Sequence, residues 1–205
     1  MSDASALHAL AAKAGRDLSA ERVLVMAMGG ATNIGRYLER FGPRGLDVPL
    51  AGLCDAGEER DFRRALERAG FAVSGRAGLE RLGFFVCVAD LEDELIRSLG
   101  VGRVAEVIEA QGEGKRLRTF LKQPAHRTEL SALQLRRFIG CRSGAKELYA
   151  RVLSEELDPE RVPRPLEGLL SWLLRSAYVD SNMALYYRAG WARRRGCAGS
   201  GTWKP

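Results

Sequence analysis

Two short apolar runs, each ending in carboxylates, constrain this chain most. "LAGLCDAGEERDF" (residues 50–62) delivers Asp55, Glu58, Glu59 and Asp61, and "GFFVCVADLEDELI" (83–96) delivers Asp90, Glu92, Asp93 and Glu94. A continuous apolar run bounded by turn signals reads as a strand buried on both faces, and parallel sheets are the usual home for such strands. Between the runs lies "EERDFRRALERAG", whose Phe62, Ala65, Leu66 and Ala69 form one apolar stripe at helical spacing. Upstream, "RVLVMAM" (22–28) predicts a further strand ending at Gly29-Gly30. "TNIGRYLERFG" predicts a helix capped by Thr32 or Asn33 and closed by Gly42-Pro43. "VPLAGLC" (48–54) and "FFVCV" (84–88) are the next strands, "FAVSGRAGLERLG" between them is a loop with a short strand or turn, and "LEDELIRSLG" opens a helix. This alternation predicts an α/β fold, a Rossmann-like parallel sheet with helices on both faces.

After Gly100 the strand signals stop. "VGRVAEVIEAQG", "KRLRTFLKQ", "SALQLRRFIG", "AKELYARVLSEEL" and "PLEGLLSWLLRSA" all carry helical periodicity. A helix over residues 3–14 precedes everything, with Leu7, Leu10, Ala11 and Ala14 on one face. The expected organisation is therefore one domain over 1–174, α/β over 2–100 and helical over 101–174. The Gly- and Arg-rich stretch 175–205 reads as a poorly ordered basic tail.

Composition sets outer limits. A hydrophobic content of 46% is that of a globular chain, and no apolar run approaches the ~20 residues of a membrane span. Without a basic n-region at the start, the expected location is the cytoplasm. Cys54, Cys87, Cys141 and Cys197 show no C-x-x-C spacing, which argues against a zinc site, and Cys54 and Cys87 read as small buried hydrophobes. The net charge of +6 is unevenly spread: residues 115–146 carry 9 basic and 1 acidic side chains, whereas residues 1–114 carry 14 and 18. Such a segment is either a phosphate-binding surface or a solvated Arg-rich face.

Ligands of open parallel sheets collect outside the carboxyl ends of the strands. Asp55 and Asp90 belong there, facing one crevice. Clustered carboxylates raise one another's pKa unless a cation neutralises them, and oxygen-only donors suit Mg²⁺ or Mn²⁺. Glu58, Asp61, Asp93 and Glu94 read more simply as first-turn residues complementing the helix dipole. "MGGATNIG" fits neither G-x-G-x-x-G nor the P-loop and reads as a tight strand-to-helix turn. "SGAK" (143–146) is no P-loop either, leaving Lys146 as a cation near a helix start. His8 and His126 have no partner at ligand spacing.

The runs "MGGATNIGRYLERFGPRGLDVPLAGLCDAGEERDFRRALERAG", "GFFVCVADLEDELIRSLG", "RTFLKQPAHR", "QLRRFIGCRSGAKELYA" and "RVPRPLEGLL" together resemble, over residues 2–172, the toprim domain of the OLD-type (overcoming lysogenization defect) ATP-dependent endonuclease family. The resemblance implies a Rossmann-like toprim fold that cleaves DNA phosphodiesters with two divalent ions, Mg²⁺ or Mn²⁺. It implies Asp3, Asp55 and Glu59 as ligands of one ion, Asp90 and Glu92 as ligands of the other, and Lys146 as the catalytic cation. Arg118, Lys122, Arg136, Arg137 and Arg142 would hold flanking phosphates, and an ATPase would act as a partner in trans.

Two departures qualify this. In the family the first strand ends in Glu-Gly-x-Ser/Thr-Asp, of which this sequence keeps only Ser2-Asp3, as in an N-terminally truncated stand-alone form. The second aspartate of the general D-x-D is Gly57 here. Losing that first glutamate impairs one ion, so a non-catalytic nucleic-acid-binding or interaction module on the same fold stands as the alternative expectation.

Overall fold

The structure, a computed structural model, describes residues 2–123 and 130–177, with side chains as far as residue 173. Its elements run α1 (Ser2–Lys13), α2 (Ile34–Phe41), β1 (Gly52–Asp55), α3 (Glu59–Arg68), α4 (Gly75–Arg81), β2 (Phe84–Cys87), α5 (Leu91–Leu99), α6 (Val101–Ala110), α7 (Gly114–Lys122), α8 (Ala132–Gly140), α9 (Ala145–Glu156) and α10 (Arg164–Ala177). Among the described residues, β1 and β2 form one parallel pair in register Gly52↔Phe84 to Asp55↔Cys87. The fold is α/β as expected, yet helices dominate it.

Both faces of the strand pair are covered. On one, Ile34 and Leu38 of α2, Phe62, Ala65 and Leu66 of α3 and Leu79 of α4 pack against Cys54 and Phe84. Phe62 meets Phe84 edge-on with centroids 5.9 Å apart, the arrangement ring quadrupoles favour. On the other face, Leu7 and Ala11 of α1 and Leu169 and Trp172 of α10 pack against Phe85. The approach of α10 to β2 is close enough to require glycine. A Cβ on Gly168 would lie 2.4 Å from the Phe85 ring, and one on Gly83 (φ +89°) 2.7 Å from Trp172.

The largest core joins both parts of the chain. Ala6 and Leu10 of α1 and Leu91, Leu95 and Ile96 of α5 share it with α6 to α10, centred on the fully buried Tyr149, Phe138 and Leu153. Lys13 at the end of α1 donates to the Glu155 and Leu157 carbonyls at the end of α9.

Several local expectations change. Residues 23–28 are extended but form no ladder: the segment packs Val23 and Val25 into the α1–α10 cluster and leaves Leu24 77% and Met26 47% exposed. Its alternation reports one-sided burial, and a strand needs a hydrogen-bonding neighbour as well. Strand β1 starts later than the expected 48–54 and ends one residue beyond it, and Pro49, which has no N–H to give a ladder, lies outside it. Residues 75–81, expected as loop, form α4, anchored by the fully buried Leu79. At α2, Asn33 turns its amide back to donate to the Met28 carbonyl (2.9 Å) and does not cap the helix. Residues 175–177, expected to begin the tail, continue α10, and His126 and residues 178–205 lie outside the described residues.

Candidate functional site

Asp55 is the last residue of β1, and Asp90 is the N-cap of α5, three residues beyond β2. Because the strands are parallel and in register, both aspartates emerge at the same sheet end. Helix α1 brings Asp3 there in its first turn, and α5 brings Glu92. Their proximity shows in their acidity. Burial, then the negative charges of Glu58, Asp3, Asp90 and Glu92, push the Asp55 carboxyl from 3.8 up to about 6. Asp3, exposed overall, is raised too, by partial desolvation of its carboxyl and then, among the neighbouring carboxylates, by Glu92 and Glu58.

Four of the five acids expected to bind metal are therefore close enough at this sheet end to influence one another's charge, and Glu58 joins them. Glu58 also accepts from the Asp55 N–H (3.3 Å), so it caps the turn while adding charge. Its place three residues after Asp55 was the available signal, and the helix-start reading absorbed it. Glu59 is differently employed: its carboxylate accepts from Arg63 and from Arg76 Nε (2.9 Å) and is held below the usual range, chiefly by the Arg76 hydrogen bond.

Cations answer the acids. Asp90 Oδ1 accepts from the Asp93 N–H (2.9 Å), and its Oδ2 accepts from Nε of Arg136 on α8 (2.6 Å) and forms an ion pair with Nη2 of the same guanidinium (2.6 Å). Lys146, in the first turn of α9 behind the left-handed Gly144, stands 3.2 Å from Glu92 Oε2. Glu92 is 3% exposed and its Oε1 is buried without a partner. A buried carboxylate oxygen with no donor is costly. The donor set is all oxygen, so the crevice fits a hard divalent cation in chemistry. Among the described residues, however, no three His, Cys, Asp or Glu side chains stand in ready ligand geometry.

The other basic residues divide. Arg142 (2.5 Å) and Arg116 (2.7 Å) flank the Glu113 carboxylate, which also accepts from Tyr149 Oη (3.2 Å). Arg118 pairs with Glu109 (2.9 Å) on the surface. Lys122 and Arg137 are exposed. The Cys54 and Cys87 thiols are raised by burial, Cys54 to about 12, which leaves them protonated packing residues. Exposed His8 lies on α1.

No family model and no curated protein matches the sequence. Solved structures do. The C-terminal region of the Xanthomonas campestris pv. campestris OLD protein superposes with a TM-score of 0.66 at 22% identity, covering 91% of this chain and 93% of that one. The corresponding region of the Burkholderia pseudomallei OLD protein gives 0.61 at 22% identity, over 86% and 93%. The chain has the fold of an OLD C-terminal region. At that identity the likeness concerns the fold, and it extends through the helical half as well as the strand pair. Among the described residues of this OLD-like fold, no helix is long and apolar enough to cross a membrane.

Proposed function

We propose that this chain is an OLD-family toprim domain and a metal-dependent phosphodiesterase acting on DNA. One observation carries the reading: Asp3, Asp55, Asp90 and Glu92 converge at the end of two parallel strands, with Lys146 and Arg136 against them. The shared OLD fold supports the same assignment.

Asp3 and Asp55 would hold one divalent ion and Asp90 and Glu92 the other, with Glu58 beside the first. Such ions, when bound, supply electrostatic stabilisation to the attacking and leaving oxygens of an in-line displacement. Lys146 Nζ, 53% exposed as a side chain, would meet the charge growing on the scissile phosphate. Lys122 and Arg137 would neutralise flanking phosphates, as would Arg118, Arg136 and Arg142 once they leave their present acidic partners. An ATPase supplied in trans is the partner this reading implies.

Titration calorimetry with Mn²⁺ tests the site. The wild-type chain should take up metal, and the Asp55→Ala/Asp90→Ala double variant should not. Equal uptake by both would overturn the assignment. For turnover, slow or no nicking of supercoiled DNA by these 205 residues is expected, since Arg136 and Lys146 occupy Asp90 and Glu92 and misplaced groups cost ~10²-fold. A chain extended by an apolar strand ending in Glu-Gly ahead of Ser2 should nick with Mn²⁺, and Lys146→Ala should abolish this. Metal and DNA binding without cleavage in the extended chain would favour a non-catalytic module, a reading supported by the ion pairs that occupy Asp90 and Glu92.

A further inference from the structure

We propose that Arg136 and Lys146 are built-in counter-ions that a divalent cation displaces, so that metal uptake releases both to a nucleic-acid phosphate. This rests on the preceding reading of the crevice and adds its regulation.

Like the Arg103–Glu156 and Arg164–Glu80 pairs, these two join separate elements, and what sets them apart is that they cover acids of the proposed metal site. Arg97 serves Asp93 and Glu94 on its own helix, and Arg151 serves Glu155 likewise. Arg136 and Lys146 instead reach from α8 and α9 onto acids of the α5 start, 46 and 54 residues away. In each pair the acid is the fixed member: the Asp90 and Glu92 side chains are 13% and 4% exposed, against 39% and 53% for Arg136 and Lys146. A cation so placed swings into water at little cost, whereas the acid cannot follow it.

Asp90 is also poised for exchange. Its Oδ1 is committed to the Asp93 N–H, and Oδ2 carries the Arg136 hydrogen bond and ion pair. Glu92 is only half satisfied, since Lys146 takes Oε2 and Oε1 remains buried without a partner. One divalent ion would offer these oxygens more charge than the side chains do, and would reach Oε1.

Metal and nucleic acid then bind with positive coupling, and linkage makes the effect reciprocal. The arginine itself supplies the readout. In ¹⁵N spectra the Arg136 Nε–H signal, assigned by its loss in Arg136→Gln, should be protected from exchange in the metal-free protein. Adding Mg²⁺ should shift it and speed its exchange, saturating together with calorimetric Mg²⁺ uptake, while the Arg97 Nε–H signal stays in place. Arg136→Gln and Lys146→Gln should each bind Mg²⁺ about fivefold more tightly, the scale of a lost competing ion pair. Mg²⁺ uptake with an unmoved Arg136 signal would overturn the exchange and leave the metal site standing. If no Mg²⁺ binds to any variant, the exchange and the functional reading fail together.

Discussion

Asp55 concentrates the electrostatic tension of the molecule in one carboxyl. Its folded pKa is raised from 3.8 to about 6, so the fold disfavours its charged form. The associated stability is fully present below about 3.8 and is lost as pH rises through about 6. Asp55→Asn should therefore melt higher than wild type at pH 7.5 and no higher at pH 4. Discounted for solvent screening at a half-buried site, the gain is about 1 kcal/mol, or about 2–4 °C at this chain length. Thermal melts at the two pH values check it. A gain that persisted at pH 4 would mean Asn stabilises by packing and the carboxylates do not strain one another.

At the scale of elements, the two acidic junctions were legible because a buried run has to end where its carboxylates begin. Ladder formation was not. Val23 to Met28 are apolar throughout, as a buried strand is, but an apolar run is silent on whether a neighbour's backbone lies within bonding distance. The partner of Asp90 was equally hidden, because Arg136 is 46 residues away and nothing local links them. Close approach of α10 to β2 was also invisible, since Gly168 in a helical pattern looks like a mild defect. Gly168→Ala should decide between two effects of opposite sign. Helix propensity favours alanine by about 1 kcal/mol, whereas crowding the buried Phe85 ring costs about 1–3 kcal/mol. With the added Cβ at 2.4 Å from a ring packed on Leu7, Leu169 and Trp172, crowding wins. Urea denaturation should show a net loss of about 1–2 kcal/mol. An increase in stability would show that α10 can slide along β2.

Over the whole molecule, charge is partitioned. The acids gather at the end of the strand pair, and the excess of basic residues lies in 115–146. Composition displayed that excess and could not divide it. Arg142 and Arg118 are held by Glu113 and Glu109, and Arg136 by Asp90, while Lys122 and Arg137 stand exposed. Lys122→Ala and Arg137→Ala should each flatten the salt dependence of DNA binding by about one unit of slope. Deleting residues 176–205, despite their basic character, should weaken binding only modestly. Binding that disappears with that deletion alone would leave 115–146 as a solvated face.

The docking of α1 on α9 has a consequence for biosynthesis. Lys13 meets the Glu155 carbonyl across 142 residues of chain, and Ala6 and Leu10 are buried in the core that α9 helps to close. At translation rates of ~5–20 residues per second, the first helix emerges roughly 7 to 28 s before its partner exists. During that interval the Ala6–Leu10 face stays open to chaperones, and Asp3 has no crevice to enter. The β1–β2 pair closes over a much shorter stretch of sequence and is free to form while α9 is still inside the ribosome. Helix α1 is thus made well before the core that buries it.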